Sequence, residues 1–381
     1  MTPVRCAVEV AAAGFATDAR ASAADAAAAV RAGLGGASAD VAFVFLSAEH
    51  ESEAERVAAE VTRELSPGVL VGASTEAVIG GGHEFEGRPA VSVLAASLGS
   101  GVARARHVTA SDTDLLDVTG SAVVVADPYT FPIERLLDDL NDAGTSVAVG
   151  GLASGGRGAG EHVLLCGDQV HREGAVIVDL DGPVELRVLV SQGCAPIGPE
   201  MVVTRAESNV VHELAGRPAY ERLVEIVGSL DPAQVELAQR GVLAGLVIDE
   251  NRVDYGPDDY LVRGILGGDP ESGAIAVGDM PRVGQTFRFH VRDASTADAG
   301  LRAALEDGVA MPGRVTGGLL FACNGRGTGL FGRPDHDAAA TAAALGGAPV
   351  AGMFCAGEIG PVGGRTFLHG FTATLALFVE E

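Results

Sequence analysis

Two glycine-rich stretches near the end of the chain carry the side chains best suited to holding a small charged molecule. The first is Cys323-Asn324-Gly325-Arg326-Gly327; the second is Gly357-Glu358-Ile359-Gly360-Pro361-Val362-Gly363-Gly364, leading into Leu368-His369-Gly370-Phe371. Each follows an apolar run. Glycines let a ligand approach the backbone, and turn amides there can bind an anion. The Arg326 guanidinium can hold a carboxylate through two parallel hydrogen bonds, or pair with Asp335 or Asp337 and fix its own loop. Glu358 can accept from an ammonium or bind a cation, or cap neighbouring backbone amides. Together the two charges match an amino-acid zwitterion, with Asn324, Gly325, Gly327 and Gly357 forming the surrounding loops.

A thiol reading stands beside this one. Cys323 or Cys355 near His369 could act as an activated nucleophile, whereas small buried cysteines more commonly serve packing. His369 could donate to a ligand carboxylate or satisfy a backbone carbonyl. Arg263 sits in the apolar run Tyr260 to Leu266, where an inward-pointing cation needs a partner. Asp335-His336-Asp337 reads as a helix start, where acidic residues oppose the helix dipole, and no metal site is expected. Gly151 to Gly160 lacks the acidic residue of a dinucleotide fingerprint and reads as a mobile loop. The Glu/Arg stretch from Glu49 to Glu64 reads as the solvated face of a helix.

The composition limits the partners. Asp plus Glu number 51 against 26 Lys plus Arg, a net charge of −25, which disfavours nucleic acid or an anionic membrane. All 26 basic residues are Arg. The absence of lysine excludes Schiff-base chemistry, covalently held pyridoxal phosphate and the lysine-containing phosphate loop; no cofactor is expected. GC-rich codons for Arg, Ala and Gly account for the bias. Five scattered cysteines (Cys6, Cys166, Cys194, Cys323, Cys355), none in Cys-x-x-Cys spacing, indicate a reducing compartment. Charged residues from Glu9 to Asp25 rule out a signal peptide, and no apolar run is long enough to span a bilayer.

The positioning elements recur three times as strand, helix, strand, glycine-rich turn and final strand. The copies start at Ala42–Ser47, Ala122–Asp127 and Gly318–Cys323. Their helices lie near 50–65, 133–141 and 335–345, their second strands end in Gly72, Gly150 and Gly352, and their last strands are 90–98, 175–180 and 366–378. A strand, crossover helix and strand give a right-handed parallel pair, so the residues after both strands emerge at one sheet edge, where ligands bind in open α/β sheets. This places Cys323 to Arg326 beside Gly352 to Glu358. The equivalent positions are Ser47 with Gly72-Ala73-Ser74-Thr75, and Asp127-Pro128 with Gly150-Gly151. Between the second and third copies the pattern changes, with a turn-rich stretch at Gln192–Pro199, helices at 218–230 and 231–240, then strands and a helix from Ser295 to Glu306. A boundary near residue 210 without a low-complexity linker predicts two closely packed α/β domains, 1–210 and 211–381, with mixed sheets.

Four segments resemble the FIST family: Val71-Gly72-Ala73-Ser74-Thr75 with Gly80-Gly81-Gly82, Tyr260 to Gly267, Cys323 to Gly327 with Leu330-Phe331-Gly332, and Gly357 to Gly364 with Leu368-His369-Gly370-Phe371. The resemblance implies FIST N and FIST C parts and an intracellular signal-input domain that binds small ligands such as amino acids. Many relatives are joined to output domains; 381 residues leave no room for one, so action through a separate signalling protein is expected. The resulting expectation is a cytoplasmic bacterial sensor whose ligand contacts Asn324, Gly325, Arg326, Gly327, Gly357, Glu358, His369, Arg263, Ser74 and Thr75. The alternative is a hydrolase or transferase using Cys323 with His369 or Glu358 as base.

Overall fold

The computed structural model describes residues 10–16, 23–112, 118, 120–144, 147–256 and 259–380; Cys6 lies outside them. In the first repeat, β1 (Val10–Ala16) and α1 (Ala23–Gly33) precede β2 (Val41–Ser47), α2 (Ala54–Leu65), β3 (Val69–Thr75), the hairpin β4 (Ala77–Gly80) and β5 (His83–Glu86), and β6 (Val91–Ser97). The second has β7 (Val102–Val108), β8 (Ser121–Ala126), α3 (Ile133–Asp142), β9 (Ala148–Leu152), the hairpin β10 (Leu164–Cys166) and β11 (Gln169–His171), and β12 (Ala175–Asp181). There follow β13 (Glu185–Ser191), β14 (Cys194–Glu207), β15 (Val210–Leu214), β16 (Arg217–Pro218), α4 (Ala219–Ser229), α5 (Pro232–Gln239), β17 (Val242–Val247), β18 (Tyr260–Asp269), β19 (Ala274–Val277), β20 (Thr286–Arg292) and α6 (Ala294–Ala310). The third repeat is β21 (Arg314–Cys323), α7 (Gly327–Phe331), α8 (His336–Ala344), β22 (Val350–Cys355), the hairpin β23 (Glu358–Val362) and β24 (Arg365–His369), and β25 (Ala373–Glu380).

All three repeats fall in one compact unit, Met1–Val190 with Leu301–Leu368 and Thr372–Glu381; Ser191–Gly300 and His369–Phe371 form another. These units are discontinuous in the chain. In the first unit, β2–β3, β8–β9 and β21–β22 are parallel pairs, as strand–helix–strand connections require. Their six-stranded sheets run β1-β6-β2-β3-β10-β11, β24-β23-β9-β8-β12-β7 and β13-β25-β21-β22-β4-β5. Each repeat therefore donates its hairpin to another repeat's sheet: the first to the third, the second to the first, the third to the second.

Burial follows from this cycle. The inner faces share one core, containing Phe43 and Phe45 from the first sheet, Val123, Val125 and Val149 from the second, and Leu319, Phe321 and Met353 from the third. Phe45 and Phe321 meet edge to face at 6.0 Å, a favourable aromatic geometry. Helices cover the outer faces: Val57, Ala58 and Val61 of α2 pack with Val44 and Leu46, and Ile133, Leu136, Leu137 and Leu140 of α3, at helical spacing, pack with Val124 and Ala126. Strands buried on both faces read as continuous apolar runs. The second strand of each repeat crosses its parallel neighbour at a glycine. A Cβ on Gly72, Gly150 or Gly352 would sit 1.8, 1.8 or 2.0 Å from the carbonyl oxygen of Val44, Val124 or Leu320.

Three sequence readings change. Thr366–Phe378 is two strands in two different sheets, separated at Phe371, which adopts a left-handed φ of 66°. Gly357–Gly364 is not a loop throughout: Glu358 starts β23 and pairs with Gly151 of β9. Gln192–Pro199 belongs largely to β14, whose irregular pairing with β20 between Ile197 and Met201 accommodates Gly198 and Pro199. The second unit is a seven-stranded sheet, β14-β20-β17-β18-β19-β15-β16, with a core that includes Phe287, Phe289 and Ile226. Its α5 begins with a capping box between Asp231 and Gln234.

Candidate functional site

The carboxyl edges of the three parallel pairs meet within the first unit. Thr75, the last residue of β3, donates its hydroxyl to the Phe354 carbonyl at 2.5 Å and to the Ala77 carbonyl at 2.9 Å. Ser154, after β9, donates to the same Phe354 carbonyl at 2.7 Å and accepts from the Glu76 amide at 2.9 Å. One carbonyl of β22 thus ties all three repeats together. The Ser74 hydroxyl accepts from the Val163 amide at 2.9 Å. As expected for a parallel pair, the loops after β21 and β22 lie side by side: Cys323 is the register partner of Cys355, and the Asn324 amide donates to the Cys355 carbonyl at 3.0 Å.

Beside this node opens a cavity of about 540 Å³, to which every repeat contributes: Ala48, Glu49, Glu76 and Gly87 from the first, Pro128, Tyr129, Ser154, Gly155, Gly156, Arg157 and His162 from the second, and Asn324 and Ala356 from the third. Glu49, Glu76, Tyr129, Arg157 and Asn324 are exposed, so carboxylates, a guanidinium, a phenol and an amide are available to a ligand. The wall behind them is fixed. Asp127 accepts the Tyr129 and Thr130 amides at 2.7 and 2.9 Å and pairs with His162 Nδ1 at 3.1 Å. His162 Nε2 accepts the Gly156 amide at 3.2 Å, which places the ring proton on Nδ1 and leaves Nε2 occupied. Tyr129 stacks on that ring at 5.7 Å. A larger cavity of about 810 Å³ involves Ser121, Gly182 to Arg187 and Met311 to Gly313, but its one cation, Arg187, is buried and donates to the carbonyls of Gly308 and Pro312.

The sequence-predicted residues divide. Asn324 lines the cavity. Ser74 and Thr75 are buried in the node just described. Arg326 does not present itself to the cavity: it is 2% exposed, and its Nε and one terminal nitrogen donate to Asp337 at 2.5 and 3.0 Å, while its carbon centre lies 5.3 Å from the Phe331 ring centroid. This is the alternative pairing that fixes the loop. Burial alone would raise the Asp337 carboxyl, but Arg326 and then His336 bring it down to about 2. Glu84 reaches from β5 to accept the Asp337 and Ala338 amides at the start of α8, at 2.9 and 3.1 Å. Burial and the adjacent Asp337 carboxylate push Glu84 up to about 7.

Glu358 is fully buried and caps, accepting from the Thr372 amide at 3.1 Å and hydroxyl at 2.7 Å. Burial pushes its carboxyl up to about 8, against those hydrogen bonds and the charge of Arg326. Gly325 donates to Cys323 Sγ at 3.4 Å. Gly327 has φ +59°, and a Cβ there would lie 2.8 Å from the Glu86 carboxylate that accepts the Thr328 amide. Gly357 accepts the Leu152 amide through its carbonyl at 2.8 Å. Arg263 pairs with Asp279 at 3.0 Å in the second unit, to which buried His369 also belongs.

Tyr129, Arg157, Glu76 and His162 escaped the sequence reading. The signal was the repeat itself: the equivalents of Cys323 and Gly352 fall at Asp127-Pro128 and Gly150-Gly151, and the cavity residues follow them directly. Gly151–Gly160 is pinned by Ser154, by Gly156 to His162, and by the Arg157 amide to Glu161 at 2.7 Å, so it is a lining segment instead of the expected mobile loop. Glu49 lies before α2, on the short 3₁₀ segment Ala48–Glu53, and is exposed at the cavity.

Fold and site together define a mixed α/β protein whose sheets converge their carboxyl edges on one charged cavity. The chain belongs to the FIST family: the FIST N domain matches residues 40–217 and the FIST C domain residues 219–361. It is similar to an uncharacterized protein of Mycobacterium tuberculosis, 43% identical over 383 residues that cover 96% of this chain and 98% of the relative. An uncharacterized protein of Mycobacterium bovis is 42% identical over 384 residues, covering 96% and 97%. FIST domains are associated with sensory signal transduction. No helix among the described residues is long and apolar enough to cross a membrane.

Proposed function

We propose that this chain is a cytoplasmic bacterial sensor that binds a small zwitterion of the amino-acid type in the cavity at the carboxyl edges of the first unit. The division near residue 210 would separate its FIST N and FIST C parts. The observation that carries the reading is a cavity lined from all three repeats, with Glu49 and Glu76 on one repeat and Arg157 on another. Arg157 would take the ligand carboxylate, Glu49 or Glu76 the ammonium, and Asn324 a remaining polar group. Arg326, Glu358, Ser74 and Thr75 would hold the loops and not the ligand. A ligand touching three repeats at once favours the arrangement in which those contacts coexist, and such differential affinity is what signalling to a separate partner protein requires.

The test is a thermal-shift screen of the full chain against the amino acids and related metabolites, repeated with Arg157→Ala and Glu76→Gln. A compound at 100 times its dissociation constant stabilises by about 2.7 kcal/mol. The expected result is a saturable rise in melting temperature with at least one compound, lost in Arg157→Ala. A rise that survives both substitutions would place the ligand elsewhere, and no rise with any compound would overturn the amino-acid assignment.

A further inference from the structure

We propose that Cys323 and Cys355 are a redox-modification site, a dithiol that closes to a disulfide and resets two residues of the cavity wall. The two are register partners at the carboxyl ends of the parallel strands β21 and β22. Neighbouring strands lie about 4.8 Å apart, inside the Cα separation of about 4.4–6.8 Å that a disulfide spans. In-register partners point to the same sheet face. The core contacts agree: Leu319 and Phe321 alternate toward the common core on one strand, as Ala351, Met353 and Cys355 do on the other, and Cys323 continues the first series.

Both residues carry thiols, and their surroundings differ usefully. Cys323 is 9% exposed, and Gly325 donates an amide to its sulfur. Its sulfur also lies within electrostatic reach of the buried Arg326 guanidinium. Cys355 is wholly buried, its thiol donating to the Met353 carbonyl at 3.6 Å. Burial and the nearby Glu358 and Cys323 raise this thiol's pKa well above the ordinary value. Gly151 leaves room for that sulfur, since a Cβ there would stand 2.3 Å from it. The more accessible partner meets the oxidant and the wholly buried one resolves it.

Hydrogen peroxide is the oxidant class. The Cys323 sulfur attacks one peroxide oxygen, the O–O bond breaks, and the other oxygen leaves as water after protonation, giving a sulfenic acid. The Cys355 sulfur then displaces that hydroxyl as a second water, forming the S–S bond and losing its own proton. Two thiols and one peroxide yield one disulfide and two waters. Asn324 and Ala356, the residues immediately after the two cysteines, both line the cavity, so the cross-link acts on the wall whether or not a ligand is bound.

The experiment treats the full chain with hydrogen peroxide, alkylates remaining thiols in denaturant and maps peptides without reductant. The expected product is a peptide pair linked through Cys323 and Cys355, returned to thiols by dithiothreitol and absent from Cys323→Ala and Cys355→Ala. Hydrogen–deuterium exchange in the peptides containing Asn324 and Ala356 should change on oxidation in the unaltered chain and in neither variant. Two unlinked thiols after peroxide, over-oxidation without a link, or a link through Cys6, Cys166 or Cys194 would each overturn the proposal. So would a link that leaves exchange at the cavity wall unchanged.

Discussion

Two groups of charged residues stand at the carboxyl edge of the first unit, and they have opposite fates. Arg326, Asp337, Glu84 and Glu358 are buried, with Arg326 and Asp337 locked together and Glu358 capping Thr372. Glu49, Glu76 and Arg157 are exposed around a cavity. Both groups combine opposite charges, and each has its arginine between two glycines, Gly325 and Gly327 or Gly156 and Gly158, so residue types alone do not separate scaffold from recognition. The difference is set by what the donated hairpins cover: β4–β5 lies against β22 and brings Glu84 and Glu86 onto α8 and α7, closing the Arg326 side.

The comparison is sharpened most by removing its tightest contact. Arg326→Ala leaves Asp337 buried without its partner and should destabilise the chain by about 3–5 kcal/mol, read as a lower urea midpoint. Loss of ligand binding with unchanged stability would instead restore Arg326 as a ligand group. Gly352→Ala forces a Cβ to within 2.0 Å of the Leu320 carbonyl and should cost about 3 kcal/mol by overpacking, again measured by urea unfolding.

Glu358 gives a pH-dependent test. Its carboxyl is raised from the ordinary 4.5 to about 8 in the fold, so the folded state binds the proton more tightly than the unfolded one. Its contribution is therefore complete below about pH 4.5 and is lost as pH rises through about 8. Melting temperatures across that window should fall less steeply with pH in Glu358→Gln than in the unaltered chain. A parallel profile would show that Glu358 does not titrate there. At the far end of the scale, Arg157→Ala removes an exposed side chain and should change stability by no more than about 0.5 kcal/mol, while abolishing the ligand-induced thermal shift. A large stability loss would make Arg157 a scaffold residue and erase the contrast.

The three parallel pairs, their crossover helices and the edge where their loops gather were legible because apolar runs and helical spacing are local signals. The helix start at Asp335-His336-Asp337 was legible for the same reason. Hairpin exchange was not: Ala77–Glu86 contains the pattern of a hairpin but nothing that names β22 as its neighbour. The fate of Arg326 was half legible. Asp337, eleven residues on, was visible as a partner, but burial decides between it and a ligand, and burial depends on the exchanged strands. The run Thr366–Phe378 concealed a break because its apolar character continues across Gly370-Phe371-Thr372. Tyr129 and Arg157 were passed over because neither sits in a distinctive motif; their position relative to the repeat was the available clue.

The exchanged hairpins also govern how the chain can be made. Ile79 pairs with Gly352, so the strand that completes the third sheet is synthesised long before the strand it pairs with and waits for that partner to leave the ribosome. Until then β4–β5 has an unpaired edge, the kind of surface that recruits strands from other chains. Contacts so distant in sequence also slow folding. Fragments ending between the two family segments should therefore be poor folders: the FIST N segment by itself lacks both β22 for its own hairpin and β23 for the edge of its second sheet.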